Sequence, residues 1–443
     1  MGVIGRIAGS VRGAGPWGVL EQPAFARLFA GVTFSRVGDA MTFIVVSWLA
    51  LRAGGPRAVG LVAFAGGCAG TVTAPLIGHL IDRIGLRPLM LADNMARGCM
   101  MAGLAVLAEL GPAGSLLACC PASLGCLVAF AVGTAMLSPA TELARDVALP
   151  GFVRESQLEA ANRLLSSSWD VAAWLGPALA GVGLDLVGPG PVLFADAGTF
   201  FVMALVALAM PGRPGQQPPR RDQSLASGFL LLWRLRPVAI ITLIGVADLF
   251  LAGLMEVFLP AFSKLTLHQG PAVYGLLVSL AGVTCLAGTL CLTPLVSRLG
   301  YGPALMVVLT VRGLAVLPIA FAGSWGLAAV FVALAAVPDG SFFPISATIR
   351  QRLIPAQARG RVAGASGALN AAGFPLGSAV GGLLIAAVGT RVTAAAMALG
   401  YLPLAAAVLP VRSALERLGR RAGADQVPVA VGALDAPDRR PVL

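Results

Sequence analysis

Along this chain long apolar runs alternate with short polar breaks, and each run has the length of a bilayer crossing. Twelve such runs are read, at 27–51, 58–80, 88–110, 115–138, 165–187, 190–211, 237–260, 272–296, 303–323, 325–348, 363–387 and 391–411. A helix needs about 20 apolar residues to span the hydrocarbon core. Inside the runs Ala, Leu, Val and Gly follow one another without the two-residue alternation of barrel strands, so the pattern predicts helices. The fold class that follows is all-α: a polytopic membrane protein with twelve transmembrane helices.

The runs repeat. Aligning 82–98 with 297–313 matches Arg83 with Arg298, Gly85 with Gly300, Arg97 with Arg312 and Gly98 with Gly313, and Asp39 in the first run matches Asp248 in the seventh. Six is even, so equivalent helices keep their direction and the halves are parallel repeats about an axis along the membrane normal. The expected organisation is an N-terminal cytoplasmic segment at 1–26, a six-helix bundle at 27–211, a hydrophilic linker at 212–236, a second bundle at 237–411, and a polar, disordered tail at 412–443. The linker, rich in Pro, Gly and Arg, cannot continue a helix.

Composition sharpens the reading only where charge is concerned. Hydrophobic residues make up 57% and charged ones 12%, against roughly 25% charged in soluble proteins. Arg83, Arg87, Arg145, Arg154, Arg163, Arg213, Arg220, Arg221, Arg234, Arg236, Arg298, Arg350, Arg352, Arg359 and Arg361 all fall on one side of the predicted membrane, leaving Arg52, Arg57, Lys264 and Arg391 for the other. By the positive-inside rule the first side is cytoplasmic, and so are both termini. The net charge of +11 is then a matter of topology and calls for no nucleic acid. The first 24 residues lack the compact apolar core and cleavage signature of a secretory signal. Seven cysteines lie in or at the runs with no C-x-x-C pair, which predicts small packing residues and no metal. Nor is there an H-E-x-x-H, a G-x-S-x-G elbow or a phosphate loop, so an enzyme and an ATP-driven pump are both set aside.

Gly78, Asp82, Arg83, Gly85 and Arg87 reproduce the G-x-x-x-D-R-x-G-x-R signature between spans two and three of the major facilitator superfamily, and the chain resembles that family over nearly its whole length. The Gly38-Asp39 pair, the stretch 143–162, GPALAG at 176–181 and IPAQARGRV at 354–362 resemble its drug-efflux branch, which includes macrolide and siderophore exporters. What the resemblance implies is a secondary active transporter that exports small apolar or amphipathic molecules by proton antiport. No cofactor beyond the proton gradient is implied, and the expected partners are the small-molecule substrate and the lipid of the inner membrane, with the chain a monomer. A facilitator or importer of a metabolite or siderophore is the alternative on the same fold.

Residues take roles within that expectation. Asp82 faces the N-terminal end of span eleven, while Arg83 and Arg87, with Arg145 nearby, pair with Asp146 to form a cytoplasmic latch. Leu86 replaces a basic residue often found in the signature, and Ser297 replaces the acid in the second copy, so the latch is one-sided. Gly176, Pro177 and Gly181 resemble the antiporter signature of span five, although Ala172 and Ala180 stand where glycines are usual; Pro177 kinks the helix and the glycines let it press on a neighbour. Ala129 occupies the position of the family's span-four arginine.

Ionisable groups inside spans are costly and normally line a cavity. Spans one, four, seven and ten line it in this family, which would bring Asp39, Asp248, Glu256 and Asp339 together. Asp39 is the foremost candidate to load and release a proton; alternatively Arg36, one turn earlier on the same face, neutralises it and the pair serves packing. Phe43, Phe250 and Phe258 are the aromatic candidates for touching a hydrophobic ligand.

Overall fold

A computed structural model describes residues 16–110, 121–209, 225–292 and 295–421. Among these residues twelve long helices follow one another and no strand occurs. They are α1 (23–53), α2 (56–84), α3 (Leu86–Glu109), α4 (Pro121–Leu137), α5 (Leu158–Leu186), α6 (Pro189–Leu208), α7 (Arg236–Leu265), α8 (Pro271–Leu292), α9 (Tyr301–Val316), α10 (Trp325–Leu353), α11 (359–388) and α12 (390–406). By length and hydropathy alone, eight continuous runs of the described residues could cross a membrane. Two of those eight are pairs of helices: α1 and α2 part at the non-helical Gly54 and Gly55, and α11 and α12 part at Gly389. The other two helices, α3 and α5, are more polar: α3 holds Arg87, Asp93, Arg97 and Glu109, and α5 holds Glu159, Arg163, Asp170 and Asp185.

Two matching connections turn at a glycine of positive φ. α2 meets α3 at Gly85 with φ of 82°, and α8 meets α9 by way of the short helix Leu295–Leu299 and Gly300 with φ of 81°. A side chain at either position would meet the steric penalty of the left-handed region, which glycine escapes. These two glycines are repeat mates, so the turn is duplicated along with the helices it joins.

Packing follows the repeat as well. In the first half α3 lies along α6, and α1 and α2 contact α4 and α5; in the second, α7 lies along the α11–α12 pair and α8 along α10. Between the halves, α5 meets α8 and α2 meets α11 at backbone contact. A Cβ on Gly181 would lie 2.6 Å from the carbonyl oxygen of Pro271, and one on Gly382 would lie 2.7 Å from that of Pro56. Small residues are what allow transmembrane backbones this close. Both contacts fall at the ends of their helices opposite Arg83, Arg163, Arg359 and Arg361, so the halves are clamped at one end of the bundle. Asp185 adds to the clamp: its carboxylate accepts a hydrogen bond of 3.1 Å from the Ala272 amide in the first turn of α8.

Two expected irregular segments contain helix. Leu225–Arg234, placed in the linker, buries Leu232 against Val238 and Val362, because its apolar residues fall on one face. Arg412–Arg421, placed in the disordered tail, is held by buried Leu415 and an Arg412–Glu416 pair at 2.7 Å, the spacing of one helical turn. The remainder of the linker and tail lies outside the described residues.

Candidate functional site

Between the halves lies a cavity of about 280 Å³, close to the lower bound of roughly 300 Å³ for pockets that enclose small ligands. α1 supplies one wall with Asp39, Thr42, Phe43 and Ser47, and α2 supplies a second with Val59, Val62, Ala63 and two glycines. Arg97 and Met101 come from α3, Phe130 and Thr134 from α4, Glu256 from α7 and Phe374 from α11. The lining is mostly apolar and aromatic, with polar groups at two levels. Asp39 and Ser47 mark those levels on α1; eight residues of helix put them about 12 Å apart.

At the first level Arg97 forms an ion pair with Asp39 and stacks its guanidinium over the Phe200 ring, 4.3 Å from the centroid. The expected pair between Arg36 and Asp39 does not define the site. Arg36 reaches away from the cavity to Glu142 at 2.9 Å, to the Leu165 carbonyl at 2.7 Å and to the Ser168 hydroxyl, and it covers the Trp169 ring. Helical spacing identifies neighbours on one helix; it could not show that α3 and the Pro139–Ala148 helix offer each residue a better partner. Arg145 joins the same carboxylate, 2.8 Å from Glu142.

At the second level Glu256 projects from the opposite half and accepts a hydrogen bond of 3.2 Å from Ser47 Oγ. The neighbouring Trp48 stacks on Tyr274 of α8, with centroids 6.3 Å apart. The acid and the aromatic pair thus bridge the two halves near the clamped end.

Asp248 and Asp339 lie elsewhere. Both carboxylates converge on Nη1 of Arg312, at 2.5 and 2.7 Å, within the second half and off the cavity lining. The arrangement repeats the first half: Arg312 is the mate of Arg97, Asp248 the mate of Asp39, and Tyr401 lies against Arg312 as Phe200 lies against Arg97. Hence the four acids expected to converge form two groups, Asp39 with Glu256 and Asp248 with Asp339. Span ten contributes no residue to the lining, whereas α2 and α3 do. Of the aromatic candidates Phe43 faces the cavity; Phe250 packs in the core beside Gly377 of α11, and Phe258 is fully buried against Phe262. An alternating apolar helix gives no sign of which of its faces meets a neighbour.

Two further acids escaped the sequence reading. Asp93 is buried and accepts from the Thr141 hydroxyl. Asp196 is buried on α6 and accepts from Thr42 Oγ1 at 2.5 Å and Thr199 Oγ1 at 3.0 Å. Both stand inside predicted spans, where any ionisable residue is a candidate for function, so the signal was present.

Gly176 packs on α1, where a Cβ would come within 2.6 Å of Ala40 Cβ, and Gly181 packs on α8. Pro177 is buried inside α5 with its carbonyl against Gly275 of α8. Arg83 and Arg87 are exposed and make no ion pair among the described residues. Gly78 and the side chains of Asp82 and Asp146 lie outside the described positions, so the latch is carried forward as a proposal. Among the described residues no His, Cys, Asp and Glu cluster of three or more could hold a metal.

Residues 246–434 match the family model of the Major Facilitator Superfamily. The chain is 28% identical over 392 residues to the multidrug efflux pump Tap of Mycobacterium tuberculosis (strain ATCC 25618 / H37Rv), covering 85% of this chain and 90% of that one. It is 24% identical to the pump of the same name from Mycolicibacterium fortuitum, over 86% and 94% of the two chains. Among solved structures, a bacterial homologue of the iron transporter ferroportin in its inward-facing state superposes with a TM-score of 0.69 at 19% identity, covering 88% of this chain and 99% of that one. The nucleoside transporter NupG gives 0.69 at 14% identity, over 87% and 98%.

Proposed function

We propose that this chain, a multi-pass transporter of the major facilitator superfamily and not an enzyme, exports small apolar or amphipathic molecules in exchange for protons. The observation that carries the reading is the cavity itself: an aromatic and aliphatic chamber between the two halves, with Asp39 paired to Arg97 at one level and Glu256 held by a lone hydroxyl at the other. An apolar wall with two acids accepts an amphipathic guest without demanding one exact shape, and the relatives named as multidrug efflux pumps fit such a guest. No resident cofactor is required, since the energy source is the proton gradient.

The halves move against each other about the cavity, so that the clamp of α5 on α8 and α2 on α11 alternates with a closure at the arginine-bearing end. There Arg83, Arg87, Asp82 and Asp146 form the latch. That end faces the cytoplasm of an inner membrane, as do both termini, and the working unit is a monomer.

Purified protein in vesicles with an imposed pH gradient tests the proposal. A lipophilic cation such as ethidium should move against its own gradient, opposite to the proton flow, and a pump-deficient host expressing the chain should tolerate more of the compounds transported. Downhill flux only, or flux in the direction of the protons, would replace export by a facilitator or importer.

A further inference from the structure

Behind the cavity wall stands a carboxylate that the transport reading leaves unused. Asp196, in the middle of α6, is 0% exposed. Its oxygens are held by hydroxyls alone, those of Thr42 and Thr199, and no ion pair reaches it among the described residues. An ionised carboxylate kept from water without a cation is a costly species, and one proton removes the charge. Asp39 differs, because Arg97 balances it one to one.

The approach of α6 to α1 is built for this contact. A Cβ on Gly38 would fall on Asp196 Oδ1 and within 2.6 Å of Thr199 Oγ1, so only glycine lets the acid reach α1. Thr42 then has two faces. Its hydroxyl bonds Asp196, while the residue lines the cavity one helical turn from Asp39. The charged groups that act on Asp196 are Asp39 on α1 and Arg97 on α3; Asp39 in turn stands within the field of Arg97 and Asp93 on α3, Arg36 on α1 and Glu142 on the Pro139–Ala148 helix. Asp93 is occupied by Thr141. Arg97 is 6% exposed, and its buried Nε–H has no partner among the described residues, so the guanidinium has room for a second carboxylate.

We propose that Asp196 is the carboxyl that stores the coupling proton, and that the Thr42 hydroxyl connects it to Asp39 in the cavity. This assignment rests on the proton-antiport reading above. In the proton-loaded state of the proposed cycle Asp196 carries the proton and Asp39 is ionised against Arg97. The Thr42 hydroxyl, which donates to Asp196 in the structure, rotates to accept the proton of the loaded carboxyl and gives its own hydrogen to Asp39, one turn away on α1: one O–H bond breaks at Asp196 and one forms at Asp39. Arg97 turns from the neutral Asp39 to the newly ionised Asp196 and brings its Nε–H to bear. The charge of the group is the same before and after this transfer, and the carboxylate left when the proton departs is that of Asp39, 38% exposed on the cavity, and not the buried Asp196. The proton, now on Asp39, faces the cavity and leaves to the water there.

Infrared difference spectra of the full chain in lipid nanodiscs, titrated with pH, report protonated carboxyls directly. A buried protonated-carboxyl band that is present in the wild type and kept in Glu256→Gln should be lost in Asp196→Asn. In vesicles, Asp196→Asn should keep ethidium counterflow, which needs no gradient, and lose ethidium extrusion driven by a pH gradient. A band that survives in Asp196→Asn, or gradient-driven extrusion equal to wild type, overturns the assignment. Should Asp196→Asn fail to fold, Thr42→Val decides: it should keep the band and lose gradient-driven extrusion, and normal extrusion by that variant overturns the relay. A wild type with the band but without any gradient-driven flux would sink the antiport reading instead, which keeps the two failures apart.

Discussion

Gly181 and Gly275 hold α5 and α8 at backbone contact across the two halves, and a single methyl group measures how much the clamp depends on it. A Cβ at Gly181 would sit 2.6 Å from Pro271 O, 3.0 Å from Gly275 Cα and 3.2 Å from Ala272 Cα. All three neighbours are backbone atoms, so no side chain can rotate out of the way and the helices themselves must separate. Overpacking of this kind costs about 1–3 kcal/mol. The cost falls only on the state in which α5 and α8 touch, which lowers its population by roughly 5- to 150-fold relative to a state open at that end. Spin labels at the exposed positions 57 and 391, one in each half beside the clamp, report the change as a longer distance in double electron–electron resonance, in a background without native cysteines. Gly103→Ala is the control, since a Cβ there meets nothing within 4 Å. Unchanged distances in Gly181→Ala, or an equal lengthening in Gly103→Ala, would refute the argument that backbone contact sets the balance.

Three further outcomes follow from the ion pairs. Glu256→Gln should weaken ethidium binding by about 1.5–3 kcal/mol, the range for a hydrogen bond to a charged group, and leave an uncharged dye of similar size unaffected; fluorescence titration giving equal losses would remove Glu256 from cation recognition. Asp248→Ala strips a partner from buried Arg312, a loss of about 3–5 kcal/mol for a buried pair. Because Asp339 still reaches Arg312 at 2.7 Å the lower figure applies, and Asp339→Ala, at a side chain 36% exposed, should cost less in thermal unfolding; the opposite order would contradict the burial argument. Arg83→Ala and Arg87→Ala, both exposed, should leave the stability of this state within about 0.5 kcal/mol, while labels at the arginine-bearing end should show that end closing less often if the latch operates.

The twelve helices were legible because a bilayer demands a long, uninterrupted apolar run, and nothing else in the chain imitates one. Legible too was the link between Arg97 and Arg312 and between Asp39 and Asp248, as matched positions of a repeat. That each arginine pairs with its own half's aspartate was not, since the matching says which residues correspond and nothing about which touch. Arg36 shows the limit: helical spacing put it beside Asp39, and Glu142, from a distant stretch, took it. Asp196 and Asp93 were visible as lone acids in apolar runs, yet a lone acid reads the same whether it meets lipid, a cavity or a threonine. Phe250 and Phe258 failed for a related reason, because a helix apolar on every side does not announce its inner face.

A hairpin that turns on one left-handed glycine leaves no slack for its two helices to slide past each other. Gly85 alone joins α2 to α3, whereas Leu295–Leu299 stands between α8 and Gly300, so sliding is suppressed most in the first bundle, which behaves as a strut. Displacement at the glycine contacts between the bundles is therefore carried undiminished to its far corner, with that bundle as lever arm.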